Sequence, residues 1–141
     1  EFMEEFLMHN FNHELPSLLS HNLEHNGIER NLLQFAAMLC KSIEIHDFLW
    51  TIIERYTNVE RFYNETYRRS HLLHLAVHFN DLAIAQFTWK KIEQHLGNVT
   101  NKRNYLSELG FGGLTLLENA SEGEMQGWVI ELLGHFGVDA V

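Results

Sequence analysis

The sequence predicts an all-α protein built from repeated pairs of helices. The stretch from His71 to His78, HLLHLAVH, has two weaker copies at residues 31–37 and 115–121, which begin 40 residues earlier and 44 residues later. Self-similarity at a period of roughly 20 to 50 residues is typical of repeat proteins. Between the copies, apolar residues recur three and four positions apart, as they do on one face of a helix. Only one proline and nine glycines occur in 141 residues, which favours long helices over a turn-rich sheet.

The first unit is predicted over residues 28–66. Its opening helix covers residues 31–39, where small alanines allow a neighbouring helix to approach closely. A second helix follows from about Ile43 to Tyr56, because Ile45 starts an inward apolar stripe with the spacing of an amphipathic helix. Residues 57–70 are polar with three aromatics, and they are predicted to form a long connection to the next unit.

The second unit is predicted over residues 67–110, with its opening helix at residues 71–79. Asp81 is a good N-cap for a second helix of about fifteen residues, which Gly97 can end as a left-handed glycine. Residues 98–112 are again predicted as a connection, with one helical turn at residues 105–109.

The third unit is predicted over residues 111–141, and the chain 1–141 is predicted as a single domain. Residues 115–121 form the opening helix, Gly123 breaks it, and the second helix ends at Gly134 and Gly137. Residues 3–27 are predicted as a degenerate capping repeat, in which a second helix ends near His21 and residues 22–27 form a loop.

The three opening stretches resemble the ankyrin-repeat family, whose signature is Thr-Pro-Leu-His-x-Ala. Residues 73–76, LHLA, match the family's leucine, histidine, leucine and alanine positions. Residues 113–120, GLTLLENA, match its glycine, threonine, leucine and alanine, and the first copy keeps Leu33 and the alanines at 36 and 37. Leucine replaces the family's proline in all three copies, and the spacings of 40 and 44 residues exceed the usual value of about 33.

The resemblance implies a curved stack of helix pairs that acts as a scaffold or adaptor, binding another protein through its connections and concave face. It carries no catalytic residue, so none is expected here. His74 falls where the family keeps a structural histidine. The extra residues of each unit are expected to lengthen the second helix and the connection.

Charge is distributed unevenly along the chain. The net charge is −9, but residues 55–103 carry eight lysines and arginines against four acidic residues. An acidic protein repels phosphate, which argues against a nucleic-acid partner, whereas the basic middle suits an acidic partner. The alternative is that these charges form an ordinary solvated surface.

The single cysteine, Cys40, cannot form an internal disulfide. This predicts a reducing intracellular compartment, cytoplasmic or nuclear. No apolar run approaches the roughly 20 residues of a membrane helix, so no membrane partner is expected.

Candidate partner-binding residues cluster where aromatic and basic side chains alternate before and within the central opening helix. Tyrosine and arginine are frequent hot-spot residues at protein interfaces, and long connections in compact domains are often functional. The alternative is that the aromatics pack against the second helices. The predicted partner-binding residues are Arg61, Phe62, Tyr63, Tyr67, Arg68, Arg69, His71 and His78.

Metal and cofactor sites are not expected. Histidines lie four residues apart in three pairs, one of them His74 and His78, and such pairs suit a metal on a helix face. A metal site needs further ligands, however, and neither an H-E-x-x-H motif nor a second cysteine supplies them. The glycines at 110, 112 and 113 lack the lysine of a phosphate-binding loop.

Two alternative functions follow from other features. Phe2, Phe6, Phe136 and Val138 lie near the chain ends, where repeat arrays need polar caps, so the chain is alternatively a homo-oligomerisation domain of a larger regulatory protein. A metal-dependent enzyme is a third hypothesis, based on the histidine pairs. The Leu15–Leu19 stretch has the form L-x-x-L-L of groove-binding helices, but these leucines also suit a buried helix face.

Overall fold

The computed structural model describes residues 23–25, 28–121 and 123–139, with side chains from residue 31 onward. Helices dominate this part of the chain, so the all-α fold class is confirmed. A short antiparallel hairpin, β1 (Leu23–His25) and β2 (Ile28–Arg30), precedes them. The helices are α1 (Leu32–Leu39), α2 (Ile43–Tyr56), α3 (Val59–Asn64), α4 (Leu72–Phe79), α5 (Leu82–Leu96), α6 (Val99–Ser107), α7 (Leu116–Asn119) and α8 (Glu124–His135), with a 3-10 turn at Phe111–Gly113.

The first and second units each contain three helices, not two. The predicted connections at 57–70 and 98–112 each contain a helix, α3 and α6, where the sequence predicted only one helical turn, at residues 105–109. Asn58 and Asn98 start these helices by accepting a hydrogen bond from a backbone N–H of the first turn, as N-cap residues do. In these two units a third helix therefore follows a second helix that has the predicted length, with 14 residues in α2 and 15 in α5.

The short opening helices pack on one another in chain order, α1 against α4 and α4 against α7. The longer helices α2 and α5 also pack together, and each opening helix contacts the long helix of its own unit. Because α4 lies between two neighbours, all six residues from Leu72 to Val77 are buried, as expected of a helix that is apolar all round. Each large apolar side chain buried in this way stabilises the fold by about 1.5–3 kcal/mol.

The buried face of α2 differs from the predicted one in the first turn of the helix. Ile45 was expected to point inward, yet half of its surface is exposed. The buried residues His46, Trp50 and Ile53 follow an i, i+4, i+7 spacing that starts one position later. His46 is accommodated because its Nε2 atom bonds the Cys40 carbonyl oxygen at 2.9 Å, so the polar ring is not left unsatisfied.

The opening helix of the last unit is shorter than predicted. Helix α7 ends at Asn119 rather than residue 121, and α8 continues through Gly134 to His135. Phe136 is buried and Val138 is partly buried, which corrects the expectation that they form an exposed apolar end. The predicted helices of residues 3–21 and the residues Phe2 and Phe6 lie outside the described residues.

None of the helices in the described ranges has both the length and the apolarity that crossing a bilayer requires.

Candidate functional site

Each opening helix starts with a pair of polar side chains that cap one another, which we term a capping pair. In the first unit the Gln34 N–H donates to Asn31 Oδ1 and the Asn31 N–H donates to Gln34 Oε1, both at 2.8 Å. His71 and His74 make the same exchange in the second unit, and Thr115 and Glu118 make it in the third. Such reciprocal bonds satisfy two N–H groups that a helix start otherwise leaves unpaired.

Two of the capping pairs also bond the end of the third helix of their own unit. Gln34 Nε2 donates to the Glu65 carbonyl oxygen at 2.9 Å, and His74 Nε2 meets the Glu108 carbonyl oxygen at the same distance. Glu65 and Glu108 are the C-cap residues of α3 and α6, whose last carbonyl groups lack partners within the helix.

Asn31 and His71, the first members of these two pairs, bond carbonyl oxygens that lie one turn earlier in α3 and α6. Asn31 Nδ2 donates to the Phe62 carbonyl oxygen at 3.1 Å, and His71 Nε2 meets that of Tyr105 at 3.0 Å. The capping pairs therefore hold α3 and α6 in place.

The two histidines of the second capping pair are structural. Burial lowers the pKa of His71 well below its ordinary value, and the neighbouring His74 lowers it further. Burial also lowers the pKa of His74 to about 4. Both rings are consequently neutral at physiological pH, and their ring nitrogens are occupied by protein hydrogen bonds. Neither ring has a nitrogen available for a metal.

The segment before α4 is a tight turn, Tyr67–Ser70, which we term the arginine turn. The N–H groups of Tyr67 and Ser70 donate to each other's carbonyl oxygens at 2.9 and 3.0 Å. Its two central residues, Arg68 and Arg69, have φ angles of 50° and 73°. This left-handed region suits glycine or asparagine in a two-residue hairpin turn, and other residues adopt it at a cost of about 1 kcal/mol each.

A second turn, Gly110–Leu114, precedes α7 and is termed the glycine turn. The Phe111 N–H donates to Ser70 Oγ at 3.1 Å, which joins it to the arginine turn. Gly110 is packed so closely that an added Cβ atom would lie 2.9 Å from Ser70 Oγ and 3.1 Å from Asn119 Nδ2. Only glycine fits at this point of contact.

A groove of about 250 Å³ lies between the two turns and the helices α4 and α7. The exposed residues Phe79, Phe111 and Leu114 line it, as do the buried residues His74 and Asn119. The residues that line the groove are Tyr67, Arg68, Ser70, His74, Leu75, His78, Phe79, Phe111, Leu114 and Asn119.

The structure brings together three of the predicted partner-binding residues in this groove, namely Tyr67, Arg68 and His78. Arg69 lies exposed in the same turn. His78 bonds the Asn119 carbonyl oxygen through Nδ1 at 3.0 Å, and its ring meets that of Phe79 edge to face.

The other four predicted residues do not form an exposed surface with them. Phe62, Tyr63 and His71 are buried, which corrects the expectation that a partner contacts them. Phe62 and Tyr63 lie in the core because α3 turns its apolar face inward. Arg61 is half-buried, and it pairs with Glu65 at 3.0 Å while lying over the Phe62 ring.

The groove also contains residues that were not predicted as site residues. Phe111 and Leu114 follow or flank glycines in the segment Gly110–Leu114, and Phe79 ends α4. Large apolar residues in a glycine-rich turn have little local surface to pack against. The position of Phe111 and Leu114 beside glycines could therefore have marked them as exposed apolar residues.

No group of three or more His, Cys, Asp or Glu side chains in the described part of the chain is arranged to hold a metal ion. The groove, at about 250 Å³, is also smaller than the roughly 300–1,000 Å³ of typical small-molecule pockets. Its size suits one or two side chains of a partner.

Comparisons of this chain with protein-family models, with curated proteins and with solved structures found no match.

Proposed function

We propose that this chain is a non-enzymatic protein-binding module of a divergent ankyrin type, acting as a scaffold or adaptor. Its partner segment binds in the groove between the arginine turn and the glycine turn. The proposal includes an intracellular location, cytoplasmic or nuclear, where the lone Cys40 stays reduced.

The arrangement of the helices supports the ankyrin part of the proposal. The opening helices pack in chain order, as do the long helices α2 and α5, and a hairpin or tight turn precedes each opening helix. His74 bonds the backbone of the following connection, which is the role the family gives its histidine. The third helices α3 and α6 are a departure from the two-helix unit of that family.

The groove supports the proposal that the chain binds a protein partner. Phe111 is 57% exposed and Phe79 is 45% exposed, and Leu114 lies in the same depression. Apolar surface that is gathered in a concave site beside charged groups is typical of protein-binding surfaces. The two linked turns form a preformed site, and a preformed site loses less conformational entropy on binding.

The test is affinity capture from the source cells with three forms of the chain. The wild type and Ile130→Ser, which changes an exposed apolar residue of α8, should retain the same partner. The double variant Phe111→Ser and Leu114→Ser should lose it, with an unchanged far-ultraviolet circular dichroism spectrum. Equal recovery of every protein by all three forms would overturn the proposal.

Self-association is the second candidate function, and one observation favours it. Leu39, Ile43 and Ile45 are exposed close together where α1 meets α2. An apolar patch of this kind is a common centre of homodimer interfaces. Light scattering should then show a mass above the 16.6 kDa monomer that returns to monomer in Ile45→Glu. A monomer mass at all concentrations would remove this candidate.

A further inference from the structure

The charges around the groove indicate the chemistry of the partner. None of the residues that line it is acidic, and Arg68 lies on its rim. Arg69 follows at the tip of the same turn and is also exposed. The groove therefore combines apolar walls with two adjacent cations, although the chain as a whole has a net charge of −9.

Several cations of the basic middle segment are engaged by other groups of the fold, whereas Arg68 and Arg69 have no carboxylate partner among the described residues. Lys91 lies 3.7 Å from Glu54, and Lys102 lies 3.6 Å from Glu93. Arg103 donates to the Phe136 carbonyl oxygen at 2.7 Å. Among the described residues, no carboxylate lies within ion-pair distance of Arg68 or Arg69.

The backbone of the arginine turn is a second, independent observation. Both arginines occupy the left-handed region, where glycine or asparagine would relieve strain. Strain of this kind often marks a functional site, because the side chain is needed at a position that its backbone does not favour. The Arg68 guanidinium also lies 5.7 Å from the centre of the Tyr67 ring, within the range of a cation–π contact that limits its freedom.

We propose that the groove binds an acidic segment of a partner protein. An aromatic or large aliphatic side chain of the segment contacts Phe79, Phe111 and Leu114, and a neighbouring carboxylate pairs with Arg68 or Arg69. The guanidinium fork matches a carboxylate in a two-point hydrogen bond. This inference rests on the proposed function, and it adds the charge and the side-chain type of the partner.

The test is a selection from a random peptide display library on the full chain. A parallel selection uses the double variant Phe111→Ser and Leu114→Ser, so that peptides specific to the groove are those enriched only on the wild type. These peptides should carry Asp or Glu close to an aromatic or large aliphatic residue. The tightest one should lose about five- to tenfold in affinity in Arg68→Gln or Arg69→Gln.

Two further variants make the charge requirement specific. Lys90→Gln removes an exposed cation outside the groove and should leave the affinity unchanged. The double reversal Arg68→Glu and Arg69→Glu should select basic peptides in place of acidic ones. Raising the salt concentration should weaken the wild-type complex, because rim charges are screened.

The possible outcomes separate the two proposals. Groove-specific peptides without acidic residues would overturn this inference and leave the protein-binding function intact. Selection of basic groove-specific peptides by the wild type would also overturn this inference and leave the protein-binding function intact. The absence of any groove-specific peptide would count against both proposals.

Discussion

His71 and His74 cap one another: the backbone N–H of each donates to the Nδ1 atom of the other, at 3.2 and 3.3 Å, and their rings stack with centroids 3.8 Å apart. An N–H donor at Nδ1 requires a lone pair there, so the ring proton lies on Nε2. Each Nε2 atom meets a carbonyl oxygen of α6 or its C-cap. All four ring nitrogens are therefore used, and protonating either ring would place a proton against an N–H group.

The first prediction is that the free energy of unfolding falls as the pH is lowered from about 6.5 to 4. In this interval the unfolded chain binds protons at these histidines, whereas the folded chain excludes them, since burial lowers the pKa of His74 to about 4. The contribution of His74 to the free energy of unfolding is fully present above the pKa that this residue has in the unfolded chain. It is lost as the pH falls to the pKa of His74 in the folded chain, a change of about 3 kcal/mol. His71, whose pKa is also lowered by burial, acts in the same direction. Urea denaturation across this interval measures the slope.

The first unit supplies the control for this prediction. Gln34 occupies the position equivalent to His74 and makes both equivalent hydrogen bonds without titrating. His74→Gln should therefore reduce the pH slope and keep most of the stability at neutral pH. His74→Leu loses both bonds and should destabilise the fold by about 2–4 kcal/mol. An unchanged slope in His74→Gln would show that His74 is not the titrating group.

A second prediction compares two glycines. Gly110→Ala should destabilise the fold by about 1–3 kcal/mol, because the new Cβ atom crowds Ser70, Asn119 and His74. Gly127 lies inside α8 and an added Cβ atom there meets nothing within 4 Å. Gly127→Ala should stabilise the fold by about 0.5–1 kcal/mol, since alanine favours a helix. Thermal unfolding of both variants tests the contrast, and equal shifts would contradict the packing at Gly110.

A third prediction is that stability and binding oppose one another at the arginine turn. Arg69→Gly should raise the free energy of unfolding by about 1 kcal/mol, because glycine adopts a φ of 73° without strain. It should also weaken binding of acidic peptides. Arg69→Ala is the matched control, since it removes the charge and keeps the strained backbone. If both variants have the same stability, the turn is not strained.

A fourth prediction concerns Thr88, which is buried in α5. Its hydroxyl is the one buried side-chain polar atom of the described residues without a hydrogen-bond partner. Valine has nearly the same shape, so Thr88→Val removes an unsatisfied group and should leave the fold unchanged or stabilise it by about 1 kcal/mol. Chemical denaturation checks the sign. A loss of stability would indicate that the hydroxyl has a partner such as an internal water.

The starts of the opening helices were predictable from the sequence. A polar residue followed by apolar residues at helical spacing locates the N-caps Asn31 and His71 and the helices after them. These signals are local, so a single stretch of sequence contains them. Asp81 and Gly97 bound α5 for the same reason.

The third helices were not predictable in this way. Helix α6 buries only Tyr105 and Leu106, so its apolar periodicity is weak. Its C-terminal end is held by the His71 and His74 side chains, 34 residues earlier in the chain. No local window contains that contact. The interpretation of residues 98–112 as a connection fails because a tertiary bond overrides low local propensity.

The groove was predictable only in part. Arginines and a tyrosine in a connection suggested an exposed interface, and Tyr67 and Arg68 do line the groove. The same composition placed Phe62 and Tyr63 on the surface, although the undetected helix α3 buries them. Phe111 joins the site because the bond from its N–H to Ser70 links two turns that lie 41 residues apart.

The capping pairs also imply a rule for finding relatives of this chain. A side chain in this role must accept a bond with one atom and donate with another, as asparagine, glutamine and neutral histidine do. The ionised Glu118 carboxylate can only accept, so the second member of the third pair lacks the donor that Gln34 and His74 supply. The rule starts from two residues of this kind that lie three positions apart. An aromatic residue should follow the first of them, and a glutamate at a helix end should follow the second, each after 31 or 34 residues. Such a spaced pattern can identify diverged sequences that share this architecture when their overall similarity is too low to align.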